Sequence, residues 1–338
     1  MGTKNIKKTL RNIVFFVLLI ILTLWVLLKD QDAGKIFELI GQSNGIYISI
    51  GIVAMFIYLS LEAINLGRTL KLLGEKSNFL KNFKYALIGF FFSGITPAAS
   101  GGQPMQIYYM HKESISVGHS TLALLINLTS VQISTISIAL ISVLFNYKFL
   151  NKPLIILFVI GIGLNMSALA VLLIAIFSRR LSRWLMKATI KIMKGLRIRK
   201  IDEKIKKIGK ELRSYQKSAK YIKGNKKLML KILGTTLIQY LVFYSISYWT
   251  YRALGFNESN IIQITTMQAV LYGSISAIPS PGAVGVSEGA FVEIFRNIYS
   301  ENMIKSATLL NRGINFYVFM LISGIVVPVN DLRYKEEQ

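Results

Sequence analysis

Six long apolar segments constrain what this chain of 338 residues can fold into more than any other feature. A helix needs about 20 apolar residues to cross a bilayer, and the first two segments reach that length only with their flanks. Because hydrocarbon cannot satisfy open backbone polar groups, segments of this kind must be helical. They predict an all-α polytopic integral membrane protein, a single domain over 1–338 with spanning helices at 13–28, 46–61, 121–145, 154–177, 228–250 and 307–327.

The composition supports the same class. Hydrophobic residues make up 53% of the chain and the mean hydropathy is +0.50, which is above the usual range of soluble domains. Segment 13–28 follows a basic flank, but no small-residue cleavage pattern follows Leu28. We therefore interpret this segment as a retained span and not as a signal peptide.

Several kinds of site are excluded by residue type. The chain has no cysteine, which removes disulfides, thiolate metal sites and cysteine nucleophiles. His111 and His119 are the only histidines, and without a nearby acidic cluster we interpret both as surface residues. No Walker, G-x-S-x-G or H-E-x-x-H motif is present. We expect no catalytic residue, no metal and no cofactor.

The positive charge is concentrated in one connection. The net charge is +24, and the segment 178–227 holds nineteen lysines and arginines against three acidic residues. Because this segment joins two apolar ones, cytoplasmic placement and attraction to anionic phospholipid explain it better than nucleic-acid binding. Apolar residues spaced three and four apart predict an amphipathic helix over 198–222 and another over 181–196. The two helices either pair with each other or lie on the inner leaflet. An equally good alternative is a solvated helical hairpin that only fixes the orientation of the protein in the membrane.

Two further apolar segments, 85–106 and 262–295, are interrupted by similar phrases. Proline and glycine end helical geometry, and hydrocarbon tolerates the break only where protein or a watery cavity satisfies the backbone. Matched breaks in the two halves of a membrane protein point to a transporter's substrate site, although plain turns outside the membrane are the alternative. The residues concerned are Thr96, Pro97, Gly101 and Gly102 in the first break and Ser280, Pro281, Gly282 and Gly285 in the second.

The charge bias gives these two segments a topology. With the N-terminus and 178–227 in the cytoplasm, both ends of 85–106 are cytoplasmic and both ends of 262–295 are external. Each segment must then enter the membrane and return on the same side. The sequence therefore predicts two opposed re-entrant half-helix hairpins in an inverted repeat, with both termini cytoplasmic.

Ionisable side chains inside apolar segments are costly and usually face a cavity or a partner. Glu288 follows the second break at a helix start, where it can receive a cationic headgroup or pair with Arg312. Open backbone N–H groups at the glycine turns are candidates for holding a phosphate. Glu62 and Arg68 either line the same cavity or mark the headgroup level. The other candidates are Glu293, with lower weight, and the neutral polar residues Gln103, Gln106 and Asn127, the last of which is equally suited to packing.

The phrases at 95–106 and 279–290 resemble the transmembrane flippase region of the lysylphosphatidylglycerol synthase/flippase family, and the similarity covers essentially the whole chain. The resemblance implies a flippase that moves a phospholipid, such as aminoacylated phosphatidylglycerol, between leaflets of the bacterial cell membrane and supports resistance to cationic antimicrobial peptides. Nothing here resembles the family's aminoacyltransferase domain. Gln103 and Gln106 stand where many members carry charged residues, which leaves the headgroup open.

Two alternatives to a flippase remain at this point. One is a phosphatidylglycerol lysyltransferase that acts with a partner, and the other is a non-transporting scaffold that docks a partner on the basic loop. The partners expected in every case are membrane lipids, and a homo-oligomer is left open.

The topology can be tested by labelling single cysteines, since the chain has none of its own. Cysteines placed at Ser114 and Lys207 should react only with reagent supplied from the cytoplasm. Cysteines at Asp32 and Asn257 should react only from outside. External labelling at Ser114 would contradict the re-entrant path of the first hairpin.

Overall fold

The computed structural model describes residues 34, 38, 40–96, 99–147, 150–178, 184, 201–278, 283 and 285–336. The predicted first span at 13–28 lies outside these residues, as does nearly all of the amphipathic stripe at 181–196. Pro97, Ser280, Pro281 and Gly282 also lie outside them.

The described part of the chain is helical and contains no strand. In chain order the helices are α1 (Gly45–Leu72), α2 (Phe79–Gly94), α3 (Gly102–Lys112), α4 (Val117–Asn146), α5 (Lys152–Phe177), α6 (Ile201–Gly224), α7 (Lys226–Ala253), α8 (Ile261–Ile275), α9 (Val286–Phe295), α10 (Ile304–Arg312) and α11 (Val318–Glu336). A π-helical turn, Gly313–Tyr317, joins α10 to α11.

Five of the predicted spans are present as helices long and apolar enough to cross a membrane. They are α1, α4, α5, α7 and the stretch Ile304–Pro328, which contains α10, the π-helical turn and most of α11. The prediction of an all-α polytopic membrane protein is confirmed at this level. The sixth span stays a prediction.

The surface of these helices is suited to lipid. Large apolar side chains point outward along α5, where Ile156, Val159 and Val171 are each more than half exposed, and Leu144 on α4 is 73% exposed. Soluble monomers rarely expose apolar patches of this extent. The outer face of the bundle is therefore compatible with acyl chains.

Each predicted break separates two short helices. Helices α2 and α3 pack against one another, and so do α8 and α9, while α4 contacts both α3 and α8. The four helices contain 16, 11, 15 and 10 residues. Each is shorter than the roughly 20 residues that a span requires, which agrees with hairpins. Re-entry of these hairpins into the membrane stays a prediction.

Helix α6 shows what covers the predicted amphipathic stripe. Tyr215, Ala219 and Ile222 are buried together with residues of α4, α5 and α7. The Tyr215 hydroxyl donates a hydrogen bond to the Ala175 carbonyl oxygen at 2.8 Å, and burial raises the pKa of Tyr215 to about 12. This half of the stripe packs on the spanning helices.

His119 differs from its predicted surface role, whereas His111 is exposed as expected. The Nδ1 atom of His119 lies 2.6 Å from Glu75 Oε1, and its Nε2 atom lies 3.1 Å from Ser214 Oγ. Glu75 also accepts a hydrogen bond from the Ser116 backbone N–H, just before α4. His119 thus connects the loop after α1, the start of α4 and helix α6.

The contact between α5 and α8 depends on one small residue. A Cβ added at Gly161 would lie 2.1 Å from the Ser274 carbonyl oxygen, whereas a Cβ at Gly163 on the same helix would have nothing within 4 Å. Glycine here lets the two backbones approach closely, as is common between membrane helices.

We expect Gly161→Ala to lower the free energy of unfolding by about 1–3 kcal/mol, because α5 must move away from α8. Gly163→Ala is the matched control and should leave stability unchanged or raise it by up to about 1 kcal/mol through helix propensity. Unfolding in detergent followed by circular dichroism measures both variants. Equal stability of the two would show that the contact has no energetic role.

Candidate functional site

A cavity of about 570 Å³ lies between the two broken hairpins. Its wall includes residues of α1, α2, α3, α4, α5, α7 and α8, and it also contains Ala283 and Ser287 beside the second break. Both predicted breaks therefore border one space in the interior of the bundle.

Several of the predicted site residues line this cavity, and others do not. Glu62, Gln103, Gln106, Asn127 and Arg312 line it. The predicted residues that are described but absent from the wall are Arg68, Thr96, Gly101, Gly102, Gly285, Glu288 and Glu293.

Glu62 is held on the inner face of α1. The Gln106 side-chain amide donates hydrogen bonds to Glu62 Oε1 at 3.4 Å and to the Tyr85 carbonyl oxygen at 3.0 Å. Helix α1 continues past the predicted end of the span to Leu72, so about 15 Å of helix follows Glu62 at 1.5 Å per residue. Glu62 is therefore a cavity residue within the helix and not a marker of its end.

Arg68 has a different role from the one predicted for the cavity. Its Nη1 atom donates to Asn65 Oδ1 at 3.1 Å and to Thr235 Oγ1 at 2.5 Å. Asn65 in turn donates to Thr236 Oγ1 at 3.0 Å. These bonds join α1 to α7, so Arg68 stabilises the contact between two spans.

At the first break, backbone groups at the helix ends are hydrogen-bonded by a residue of the break itself. The Gly101 backbone N–H donates to Thr96 Oγ1 at 2.8 Å, and the Thr96 hydroxyl donates to the Phe92 carbonyl oxygen at 2.5 Å. A Cβ at Gly102 would lie 2.1 Å from Ser93 Oγ. The expectation that Gly101 offers an open N–H to a phosphate is therefore not met, since Thr96 already accepts that bond. Gly102 instead permits the close approach of α3 to α2.

The second break is closed by an ion pair. Gly285 has a φ of +82°, which favours glycine, and its N–H donates to Glu288 Oε2 at 2.7 Å. The other carboxylate oxygen, Glu288 Oε1, accepts from Arg312 Nε at 2.8 Å. Glu288 is only 2% exposed. Of the two predicted roles for Glu288, the ion pair with Arg312 is present. The Gly285 N–H is already bonded to Glu288, so, like the Gly101 N–H, it is not open to a phosphate.

The π-helical turn follows Arg312 directly. The guanidinium carbon of Arg312 lies 4.2 Å from the ring centroid of Phe316, and Asn315 and Phe316 both line the cavity. Single π-helical turns often occur at functional sites because they redirect side chains. Apart from Gly313, no signal in the amino-acid sequence indicated this turn.

Sequence reasoning missed two groups of cavity residues. One is an aromatic cluster contributed by three helices, namely Tyr58, Tyr240, Phe243 and Tyr272. The other is a set of three amide side chains, Gln132, Gln239 and Asn315. Their oxygens, like that of the predicted Asn127, are buried without a hydrogen-bond partner in the described structure. Buried polar atoms normally have partners, so these amides mark a wall suited to a polar ligand. Polar residues inside apolar segments were the available signal for the amides.

Comparison with known proteins assigns the chain to a family. The family described as lysylphosphatidylglycerol synthase TM region matches residues 13–323. The chain therefore belongs to this family of membrane proteins, as the resemblance in the sequence implied.

Two relatives are similar over nearly their whole length. A UPF0104 membrane protein of Pyrococcus horikoshii is 21% identical, over 96% of this chain and 97% of the relative. A UPF0104 membrane protein of Archaeoglobus fulgidus is 20% identical, over 92% of this chain and 94% of the relative. Both relatives thus correspond to the membrane region alone.

The ion pair at the second break can be tested by charge removal. Glu288→Gln leaves the buried guanidinium of Arg312 without its carboxylate, and breaking a buried pair in this way costs about 3–5 kcal/mol. We expect a lower unfolding temperature in detergent and a loss of monodisperse protein. Combining it with Arg312→Gln removes both charges and should recover much of the stability.

Glu293→Gln in the same helix is the matched control. Glu293 pairs with the partly exposed Arg296 at 3.1 Å, and such pairs contribute less than about 1 kcal/mol. Its Oε1 atom also accepts a hydrogen bond from the Asn151 amide at 2.8 Å, and glutamine retains that acceptor. If Glu288→Gln were as stable as this control, the buried pair would not be needed for the fold.

Proposed function

We propose that this protein is a lipid transporter that moves a phospholipid between the two leaflets of the cell membrane. The headgroup passes through the cavity between the two hairpins while the acyl chains stay in the surrounding lipid. The observation that carries the proposal is a large cavity with charged and amide groups in its wall, enclosed by helices whose outer faces are apolar.

The size and the chemistry of the cavity support this proposal. Ligand pockets usually measure about 300–1,000 Å³, and a volume of about 570 Å³ is within that range. The wall combines a carboxylate at Glu62, a guanidinium at Arg312 and several amides. Such groups can replace the water around a polar headgroup, whose loss is the main barrier to passage of the headgroup through hydrocarbon.

The basic loop adds a means of attracting lipid. On α6 the side chains of Arg213, Lys217, Lys220 and Lys223 are exposed, while the opposite face is buried against the bundle. Clusters of basic residues next to spanning helices attract anionic phospholipid. With the loop in the cytoplasm, these residues would gather anionic lipid at the inner leaflet.

The sequence also bears on the energy source for lipid transport. No nucleotide-binding motif is present in the chain, so we infer that lipid moves down its own gradient or together with an ion.

Reconstitution into vesicles tests the proposal. Purified protein should let an external reductant reach fluorescent phospholipids that began in the inner leaflet, and it should do so without added lysine or transfer RNA. Leu128→Trp places a bulky ring in the cavity wall and should slow this exchange several-fold. Leu144→Trp on the lipid-facing side of the same helix is the control and should not slow it. Wild-type vesicles no faster than empty ones would disprove a transport role.

A further inference from the structure

The carboxyl group of Glu62 has no ion pair with any residue that the structure describes. Arg312 is the only lysine or arginine in the described wall of the cavity, and its guanidinium is already paired with Glu288 at 2.8 Å. An ionised carboxyl group away from water is costly unless a positive charge lies close to it. Binding a proton removes that cost without any further group of the protein. Glu62 is thus a side chain whose charge can change.

The neighbours of Glu62 that the structure shows are neutral side chains. Tyr58 precedes Glu62 by four residues on α1, so both lie on one face of the helix. Tyr272 on α8 interacts electrostatically with Glu62, and Tyr240 on α7 packs against both tyrosines, with ring centroids 5.7 Å from each. Helices α2, α4 and α5 contribute no ionisable side chain to the described wall. The three tyrosines and Arg312 keep their usual protonation states near neutral pH, which leaves Glu62 as the side chain suited to exchange a proton.

The hydrogen bond that Glu62 accepts connects it to the first hairpin. The Gln106 amide donates to Glu62 Oε1 at 3.4 Å and to the Tyr85 carbonyl oxygen at 3.0 Å, so one side chain joins α3 to both α1 and α2. Gln106 is 3% exposed, and a Cβ added at Gly89 of α2 would overlap its amide group. A hydrogen bond to an ionised carboxylate is roughly twice as strong as one to a neutral acceptor. Protonation of Glu62 therefore weakens the contact between α1 and the first hairpin.

A proton suits this position better than a metal ion does. A metal ion such as Ca²⁺ requires several oxygen ligands, and the described part of the chain contains no cluster of three acidic or histidine side chains. The group bonded to Glu62 Oε1 is an N–H donor, whose hydrogen would point at a bound metal ion. A cavity of about 570 Å³ with polar side chains has room for water, which can carry a proton to the carboxyl group.

We propose that Glu62 is a proton-binding site that couples the movement of lipid to a proton gradient. The inference rests on the proposed transport function, and it names the proton as the coupled ion. Without a proton, the Glu62 carboxylate holds the first hairpin to α1 through Gln106. With a proton taken from water on one side of the membrane, this contact is weaker and the hairpin can move. Release of the proton to water on the other side restores the contact.

Proton binding is measured first, on the purified full chain in detergent and without any transport. Infrared difference spectra recorded as the pH is lowered should show the carbonyl stretch of a buried protonated carboxyl group, with a shift in deuterated water. The band should be absent from Glu62→Gln. It should remain in Glu258→Gln, the control, since Glu258 is exposed outside the cavity. A band that is missing from the wild type, or unchanged in Glu62→Gln, would overturn the proton-binding site.

A pH difference across vesicles tests the coupling. With one proton per lipid, a difference of one pH unit corresponds to about 1.4 kcal/mol and supports up to about a tenfold difference in lipid between the leaflets. Wild-type protein should therefore accumulate fluorescent phospholipid in one leaflet, and a protonophore should abolish the asymmetry. Glu62→Gln should not respond to the pH difference, whereas Glu258→Gln should respond like the wild type. The wild-type comparison decides the matter even if Glu62→Gln does not fold.

A second variant tests the hydrogen bond that transmits the change. Gln106→Met fills a similar space but cannot donate to Glu62. It should keep the infrared band of Glu62 and lose most of the lipid asymmetry that the pH difference produces. An asymmetry equal to that of the wild type would show that Gln106 does not couple the proton to the hairpin.

The outcomes separate this inference from the proposed function. The infrared band without any exchange of lipid would retain the proton-binding site and contradict transport. Exchange of lipid that ignores the pH difference would retain transport and overturn the coupling to protons. Accumulation driven by a sodium gradient, and not by a pH difference, would overturn the proton as the coupled ion.

Discussion

The fold depends on closing the backbone at two helix breaks inside an apolar bundle. A broken helix leaves N–H and C=O groups without partners, and each is costly where water cannot reach it. At the first break a hydroxyl on Thr96 accepts from Gly101 and donates to Phe92. At the second, the carboxylate of Glu288 accepts from Gly285 and from Arg312. The two solutions satisfy the same requirement, but only the second adds charge.

That difference determines the electrostatics of the cavity. Glu288 serves as both a cap and a counter-ion. It therefore balances the charge of Arg312 although it does not itself line the cavity. The guanidinium also lies against the ring of Phe316, which further restricts it. The one aspartate or glutamate in the described wall is Glu62, on the side formed by α1.

Much of this architecture could be predicted from sequence, because segment length, charge bias and proline–glycine breaks are local signals. The pairing of Glu288 with Arg312 was also accessible, since both are ionisable residues inside apolar segments. Arg68 was a candidate for the cavity or for the headgroup level, because the sequence did not show that α1 continues to Leu72, with Arg68 bonded to α7. The aromatic cluster was not predictable, because Tyr58, Tyr240 and Tyr272 lie on three helices and resemble ordinary apolar residues until the helices pack.

A carboxylate without a counter-ion is a costly feature in the interior of a membrane protein. A glutamine in place of Glu62 would keep the bond geometry to Gln106 at lower desolvation cost, so packing alone gives no physical reason for a glutamate at this position. The cost is offset when a ligand supplies the missing positive charge.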